Sequence, residues 1–340
     1  MRAVQITLSL ALVSLAAAQE ILLIPDSATD TIGRYDRITG DYLSDLIVDP
    51  DPTELGLLAT PIQAIRGPDD RIYVSDQTRD AIVLFSAAGE HLGDFADSAD
   101  GLDNVRGLSF IDGLLYVCNA PADPGVPSVL RFDLTGRRLE DFAAGVNGFD
   151  LYESPAGILI SDISNDRIDL FDPVTGQPLA QLASTDFPEQ ISRKRNGNLL
   201  VIAYLGNEII EFNPAGAIVR RLPIAGLGRG VVELGNGNLM ISTGTGIREL
   251  DPVSGAVIRT VRSGTGFRFI ERVNFGSACV YQGCDEGDIT GDCAVDLTDL
   301  STLLANFGST APAAGDLDGN GVVDIGDLGL LLSVFGNDCR

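Results

Sequence analysis

The run Arg71-Ile-Tyr-Val-Ser-Asp76 returns as Leu114-Leu-Tyr-Val-Cys-Asn119, Gly157-Ile-Leu-Ile-Ser-Asp162, Asn198-Leu-Leu-Val-Ile-Ala203 and Asn238-Leu-Met-Ile-Ser-Thr243, and an earlier copy, Ile21-Leu-Leu-Ile-Pro-Asp26, precedes them. From Arg71 onward the copies start 43, 43, 41 and 40 residues apart. Each is a short apolar, β-prone run that ends in a small or polar residue, the pattern of a buried strand entering a turn. A third strand follows at a fixed distance, as in Asp80-Ala-Ile-Val-Leu-Phe85, Arg167-Ile-Asp-Leu-Phe171 and Glu208-Ile-Ile-Glu-Phe212. Next come turns such as Asp172-Pro-Val-Thr-Gly176 and Asp251-Pro-Val-Ser-Gly255, whose Asp, Pro and Gly reverse the chain. A fourth strand leads out, as in Ala256-Val-Ile-Arg-Thr-Val261.

Four short strands per unit, six units in a row, predict a mainly β fold, a six-bladed β-propeller over residues 19–274. The first unit begins with its second strand. The stretch Gly266-Phe-Arg-Phe-Ile-Glu-Arg-Val273 reads as a spare innermost strand for it, so that strand exchange closes the ring and protects its edges. Asp49-Pro-Asp-Pro-Thr-Glu54 reads as an insertion after the first blade. The units resemble NHL-type and related six-bladed propellers, most clearly at Ile158-Leu-Ile-Ser-Asp-Ile-Ser-Asn-Asp-Arg-Ile168. That resemblance implies a fold and leaves the activity open, because one scaffold hosts many.

Beyond the repeats, a different motif occurs twice, 28 residues apart: Asp288-Ile-Thr-Gly-Asp-Cys-Ala-Val-Asp-Leu-Thr-Asp299 and Asp316-Leu-Asp-Gly-Asn-Gly-Val-Val-Asp-Ile-Gly-Asp327. Oxygen-bearing side chains fall at positions 1, 3, 5, 9 and 12, the spacing with which a loop wraps a hard cation, position 7 adding a backbone carbonyl. Each loop runs into an apolar pattern, Leu297, Leu300, Leu303, Leu304 and Phe307 before Gly308, and Ile325, Leu328, Leu331, Leu332 and Phe335 before Gly336. This predicts two helices, each with one apolar face, packed on each other and ended by glycine.

A calcium loop with one helix after it, duplicated, resembles the dockerin family over about residues 285–340. By that resemblance two calcium ions are held, with Asp288, Thr290, Asp292, Asp296 and Asp299 as side-chain ligands in loop 1. Asp316, Asp318, Asn320, Asp324 and Asp327 serve in loop 2, and the carbonyls of Ala294 and Val322 complete the sets. Loop 1 has Cys293 where the sharp turn at position 6 prefers Gly, and Thr290 is a weaker ligand, so loop 2 is expected to bind better. The resemblance also implies a docking partner, an extracellular or cell-surface protein. Leu297-Thr298 and Ile325-Gly326 replace the Ser-Thr pair common in dockerins, which argues against a cohesin. The expected division is 1–18, 19–274, a linker 275–287, and 288–340 as the calcium module.

Met1-Arg2, an apolar run from Ile6 to Ala17, and Ala16-Ala17-Ala18 have the pattern of a secretory signal peptide, which predicts export to the extracellular space. The run is shorter than the roughly 20 apolar residues of a membrane span. A net charge of −25, from 48 acidic and 23 basic residues, argues against nucleic acid as a partner. The dense basic cluster Arg193-Lys194-Arg195 reads as a solvated turn. Cys279, Cys284, Cys293 and Cys339 suit two disulfides in an oxidising compartment, with three pairings open. Cys118 reads as a buried free thiol.

Catalytic motifs are sparse. The single His, His91, sits at a turn-to-strand boundary and reads as surface. No nucleophile elbow, HExxH or phosphate loop occurs. Asp26, Asp76, Asn119 and Asp162 fall at equivalent positions after the second strand. Turn capping is the favoured reading of these four, and a polar or metal ring at the propeller mouth is the alternative. The functional expectation is therefore a secreted calcium-binding interaction protein with no catalytic residues. A secreted hydrolase or lyase acting on polysaccharide or lactone, with its active site in that mouth, is the alternative.

Overall fold

The computed structural model describes residues 20–50, 56–122, 125–274, 287–289, 295–310, 314–318 and 320–336. The expected signal peptide, most of the linker, residues 51–54 of the insertion and the four C-terminal cysteines lie outside the described residues. Six four-stranded antiparallel sheets follow one another: 20–48 with 271–274, then 61–96, 105–144, 148–184, 188–223 and 228–263. They are the blades of a six-bladed propeller, numbered 1 to 6 in that order.

Burial is greatest in the second and third strands of a blade and falls toward the outermost one. Second strands such as Ile72–Asp76 and Leu199–Ala203 are buried at every residue. The outermost ones, such as Pro178–Ser184, are mostly exposed. That gradient explains why the second and third strands read as continuous apolar runs while the fourth reads as a weak alternation. Blade 3 departs from the pattern. Its outermost strand shrinks to Ala143–Ala144; the stretch before it keeps only an isolated bridge, Phe132 with Arg138, and the bond Leu139 N→Arg131 O at 2.8 Å, and Arg131 Nε donates to the carbonyl of Glu140 at 3.0 Å.

The apolar core lies between blades. Val74, Val83 and Phe85 of blade 2 pack on Leu23, Ile32 and Ile47 of blade 1. Val201, Ile210 and Phe212 of blade 5 pack on Leu159, Ile168 and Leu170 of blade 4. Blades 6 and 1 meet through Val232, Met240, Leu22 and Ile24, so the same kind of contact runs around the circle. In blade 1 the innermost position is taken by Glu271–Asn274, in register Ile21↔Val273 and Leu23↔Glu271. This strand is shorter than the segment read from sequence; Phe267 upstream makes only an isolated bridge to Asp26.

Past the propeller, α1 (Leu297–Ala305) and α2 (Ile325–Ser333) are the only α-helices among the described residues. Gly308 (φ +83°) and Gly336 (φ +89°) follow them in the left-handed conformation. The two bonds these glycines make are reciprocal. Gly308 N–H donates to Val323 O at 2.7 Å and Gly336 N–H to Val295 O at 2.8 Å, each helix end tied to the other loop. No helix among the described residues is long and apolar enough to cross a membrane.

The turns between third and fourth strands set the spacing of the blades. Gly176, at φ +66°, lies where a Cβ would overlap the carbonyl oxygen of Phe142 in the preceding blade, and Gly89 meets Leu46 O in the same way. Gly176→Ala combines a left-handed strain with a backbone clash, and we expect it to destabilise the propeller by about 2–4 kcal/mol, read as a lowered urea midpoint. Gly145→Ala, at φ +79° but with open space around it, is expected to cost only about 1 kcal/mol.

Candidate functional site

Two places concentrate unusual chemistry. The first is the second calcium-type loop. Asp316, Asp318 and Asp327 bring carboxylate oxygens within 4.8 Å of one another. Oxygens that share a calcium ion at 2.3–2.6 Å lie no more than about 5 Å apart. Asp327 is fully buried; its Oδ1 accepts from Leu317 N (2.6 Å) and Asp318 N (3.0 Å), and its Oδ2 from Asp324 N (2.7 Å). Asp316 Oδ2 accepts from Gly321 N at 2.9 Å, whereas its Oδ1 is buried with no hydrogen-bond partner. Burial, with the Asp327 and Asp316 charges beside it, raises the Asp318 carboxyl. An orphaned carboxylate oxygen among like charges is the arrangement a cation relieves, so the donor set fits calcium. Gly321, at position 6, has φ +88°, the left-handed conformation that favours Gly at this turn.

Asn320 accepts from Val322 N at 2.8 Å and its Nδ2 donates to Asp318 Oδ2 at 3.0 Å. Asp324 caps α2 by accepting from Gly326 N at 2.7 Å. In loop 1, Asp296 and Asp299 form the same capping box on α1, with Thr298 N→Asp296 at 2.7 Å and Asp296 N→Asp299 at 2.9 Å. Asp288 is also described, while Thr290, Asp292 and Ala294 lie outside the described residues.

The helices differ from expectation in which apolar residues they bury. Leu303 and Leu331 are fully buried with Val295 and Val323, and Leu300 and Leu328 pack against them. Leu297 (71 % exposed), Leu304, Ile325 (72 %) and Leu332 face solvent. The 28-residue repeat therefore hides one apolar row and displays a second, i and i+7 on each helix.

At the propeller mouth, Asp26, Asp76, Asn119 and Asp162 do not form a ring. Asp76 accepts from Ala59 N at 2.6 Å and Thr60 N at 3.1 Å, and Asn119 from Asp103 N at 2.8 Å. Asp26 takes Ala28 N at 3.0 Å and Asp162 takes Ser164 N at 3.0 Å. All four are spent on loop backbone, the capping role of such residues. His91 is exposed, as its position suggested, and Cys118 is a buried free thiol.

The second place is the propeller axis, which sequence reasoning missed. In blades 2 to 6 the innermost strand carries a bulge at the same point: 61–63, 105–108, 148–151, 188–191 and 228–230. A bulge re-aims side chains, and here it turns Gln63, Asp150 and Gln190 onto the axis. Asp150 Oδ2 accepts from Ile191 N at 2.8 Å in the next blade, and Gln190 Oε1 from Val231 N at 2.9 Å and Ile270 N at 3.1 Å. Gln63 Oε1 takes Leu108 N. Glu271 Oε1 receives Gln63 Nε2 at 2.7 Å and Gln190 Nε2 at 2.8 Å. The Ser of the repeated marker supports this ring: Ser161 Oγ accepts from Asp150 N at 2.8 Å and Ser242 Oγ from Gly230 N at 2.8 Å. Burial raises Glu271 to about 7 against the donated bonds of Gln63 and Gln190, and raises Asp150 strongly, with Glu271 adding to it.

The ring divides the axis. Toward the face where the innermost strands start, Glu189 is buried and pushed up to about 7 by desolvation, against the pull of Arg229, Arg268 and Arg106. Arg229 Nη1 reaches Glu189 Oε1 at 2.7 Å and stacks 4.2 Å from the Tyr204 ring. Toward the opposite face lies a cavity of about 410 Å³, with Gln63, Asp150 and Glu271 at its inner end and Arg37, Arg193, Arg195 and Arg272 among its walls; Ala314, Gly315, Asp316 and Leu317 also line it. The basic cluster is thus not a solvated turn. Arg195 is 8 % exposed, and Lys194 Nζ bridges Glu211 (3.2 Å) and Glu233 (3.4 Å). An inter-blade carboxylate pair draws the lysine in and carries both arginines with it.

The fold has known counterparts. A protein of unknown function from Bacteroides caccae superposes with TM-score 0.56 at 16 % identity, covering 75 % of this chain and 99 % of its own. A chain of the nidogen/laminin complex superposes with TM-score 0.60 at 15 % identity, covering 74 % and 98 %. At such identities the likeness concerns the fold. No family model matches the sequence, and no curated protein matches it.

The raised Glu271 carboxyl gives the axis a pH signature. An acid whose pKa is higher folded than unfolded favours folding when protonated, so its penalty is absent below about 4.5 and grows as pH rises through about 7. Glu271→Gln keeps the acceptor for Gln63 and Gln190 and removes the charge. It is expected to melt like the parent at pH 4.5 and to be more stable by roughly 1 kcal/mol at pH 8, measured by thermal unfolding at the two pH values.

Proposed function

We propose that this is a secreted calcium-binding protein whose propeller is an interaction scaffold and whose C-terminal dockerin-like repeats form a calcium-dependent docking or tethering module. The observation that carries the reading is the convergence of Asp316, Asp318 and Asp327 on one point, with one buried oxygen left without a partner. Those residues are positions 1, 3 and 12 of a loop whose spacing already implied calcium, the cofactor of this reading. The module's outward apolar pairs, Leu297 with Leu304 and Ile325 with Leu332, support a role in protein contact, since paired exposed leucines mark association surfaces. Leu297-Thr298 and Ile325-Gly326 stand where dockerins commonly carry a Ser-Thr recognition pair, which favours an extracellular partner other than a cohesin. The N-terminal signal pattern and the cysteine-rich tail agree with export. The propeller of this fold in the nidogen/laminin complex belongs to a protein assembly, which is compatible with a scaffold role here.

Calorimetric titration of the full-length protein should register two calcium ions, with the tighter in loop 2 and affinities in the range of about 10⁻⁴–10⁻³ M. Asp316→Ala with Asp327→Ala should remove that tighter event. On the surface of the producing cells, the parent should be retained in millimolar calcium and released by chelator. Leu297→Ser with Ile325→Ser should bind calcium normally and lose retention. Retention indifferent to calcium and to both pairs of changes defeats the docking role, and a titration without heat defeats the calcium role.

A further inference from the structure

The cavity on the far side of the axial ring is a built site with a defined polarity. In a chain of net charge −25, its wall gathers four guanidinium groups, those of Arg37, Arg193, Arg195 and Arg272, with the carboxyl groups of Glu20 and Asp316 also on the lining. Arg37 is paired with Glu20 at 2.5 Å. Arg195 and Arg272 are held differently. Their Nη2 atoms donate to the backbone carbonyls of Leu234 (3.1 Å) and Glu233 (2.8 Å), which fix the guanidinium without neutralising it. The Nε of each is buried with no hydrogen-bond partner, and Arg195 is 8 % exposed. The Glu233 carboxylate is engaged elsewhere, by Arg195 N at 2.9 Å and by Lys194. Burial and the neighbouring Arg37 and Arg272 charges press the Arg195 pKa down, against the pull of the Glu233 and Glu20 carboxylates. Ser192 Oγ, on the same wall, is buried without a partner as well.

The inner end has the opposite character. Gln63, Asp150 and Glu271 offer amide and carboxyl oxygens, one acid above its ordinary range beside another. Such an end suits hydroxyl groups, which donate to one oxygen and accept from another. It repels a second negative charge. About 410 Å³ lies within the range of small-molecule sites and greatly exceeds a bare phosphate or acetate. An apolar occupant would desolvate the guanidinium groups on the wall without pairing them.

We propose that this cavity binds a small hydroxycarboxylate of monosaccharide size, a sugar acid. Its carboxylate lies between Arg193, Arg195 and Arg272, where the planar guanidinium fork matches it. Its hydroxyls meet Gln63 and Glu271. Asp316 of the second calcium-type loop also lines the cavity, so binding is measured with calcium present: the calcium titration tests the loop, and the comparison of probes tests the cavity.

The test is binding to the full-length protein in calcium-containing buffer, by saturation-transfer NMR and calorimetry. The probes are D-glucuronate and D-galacturonate, D-glucose for the ring without the charge, acetate for the charge without the ring, and inorganic phosphate. At least one uronate should bind about tenfold more tightly than glucose, acetate or phosphate, the effect of one charge-assisted pair. Arg193→Gln and Arg272→Gln, checked by their melting temperatures, should each weaken it by about tenfold. Equal binding of glucose, equal binding of phosphate, no saturation by either uronate, or uronate binding unchanged in folded variants each overturns the proposal. If both variants unfold, the comparison among the five probes on the parent decides it.

Discussion

Everything at the centre of this molecule depends on a bulge placed at one point of five innermost strands. A regular strand would direct its side chains alternately into the two inter-blade cores. The extra residue breaks that alternation and sends one polar side chain to the axis, where it meets the exposed N–H of the next blade. Asp150 to Ile191 N and Gln190 to Val231 N are two such links, and Gln190 also reaches Ile270 N beside the strand that completes blade 1. Each bond satisfies a donor that the bulge itself leaves unpaired and that would otherwise cost about 1–3 kcal/mol. Where a side chain from a neighbour already fills the space, the ring position is Gly: a Cβ on Gly107 would meet Asp150, and one on Gly230 would meet Gln190 Oε1 at 2.9 Å and Ser242 Oγ at 2.9 Å.

That ring also decides the chemistry on either side of it. Because its members are hydrogen-bonded side chains and not apolar packing, carboxyl groups come to lie deep on the axis with pKa values pushed toward neutrality. Arginines gather at both ends to offset them, Arg106, Arg229 and Arg268 on one face and Arg193, Arg195 and Arg272 on the other. Arginines thus gather at one side of a cavity whose other lining includes the carboxyl groups of Glu20, Asp150, Glu271 and Asp316, which separates the two signs within an otherwise anionic chain.

The C-terminal module follows a separate logic of duplication. Two equivalent loops each place an Asp at position 9 as a helix N-cap and an Asp at position 12 as the matching partner of the capping box. The carboxylates of Asp299 and Asp327 are therefore held by backbone N–H groups and fully buried before any ion is considered. The reciprocal bonds Gly308 N–Val323 O and Gly336 N–Val295 O make each half the lid of the other. That mutual burial uses Leu300, Leu303, Leu328 and Leu331, leaving the other apolar row of each helix outside.

Blade number, blade order and the two tail helices were legible in the linear sequence, because each is written in local signals. A buried strand is a short apolar run, a blade turn is an Asp, Pro and Gly cluster, and a short tail helix is an Asp cap followed by apolar residues at helical spacing. The Asp and Asn that end the marker strands were legible as caps for the same reason. The axis was not. Gln63, Asp150, Gln190 and Glu271 recur at the blade interval, and an alignment of repeats on that step would have placed them together. Bulges, however, erase the two-residue alternation that flags which face a residue takes, and no local rule says that residues forty apart meet. Arg193 to Arg195 misled for a related reason: a charged turn looks solvated until Glu211 of its own blade and Glu233 of the next converge on Lys194. Likewise, helical spacing puts Leu297, Leu303 and Leu304 on one broad stripe, and only the width of the partner helix decided how much of that stripe is covered. Sequence determined what is contiguous; tertiary structure decided what is convergent, because convergence at an axis is a property of ring closure and belongs to no single segment.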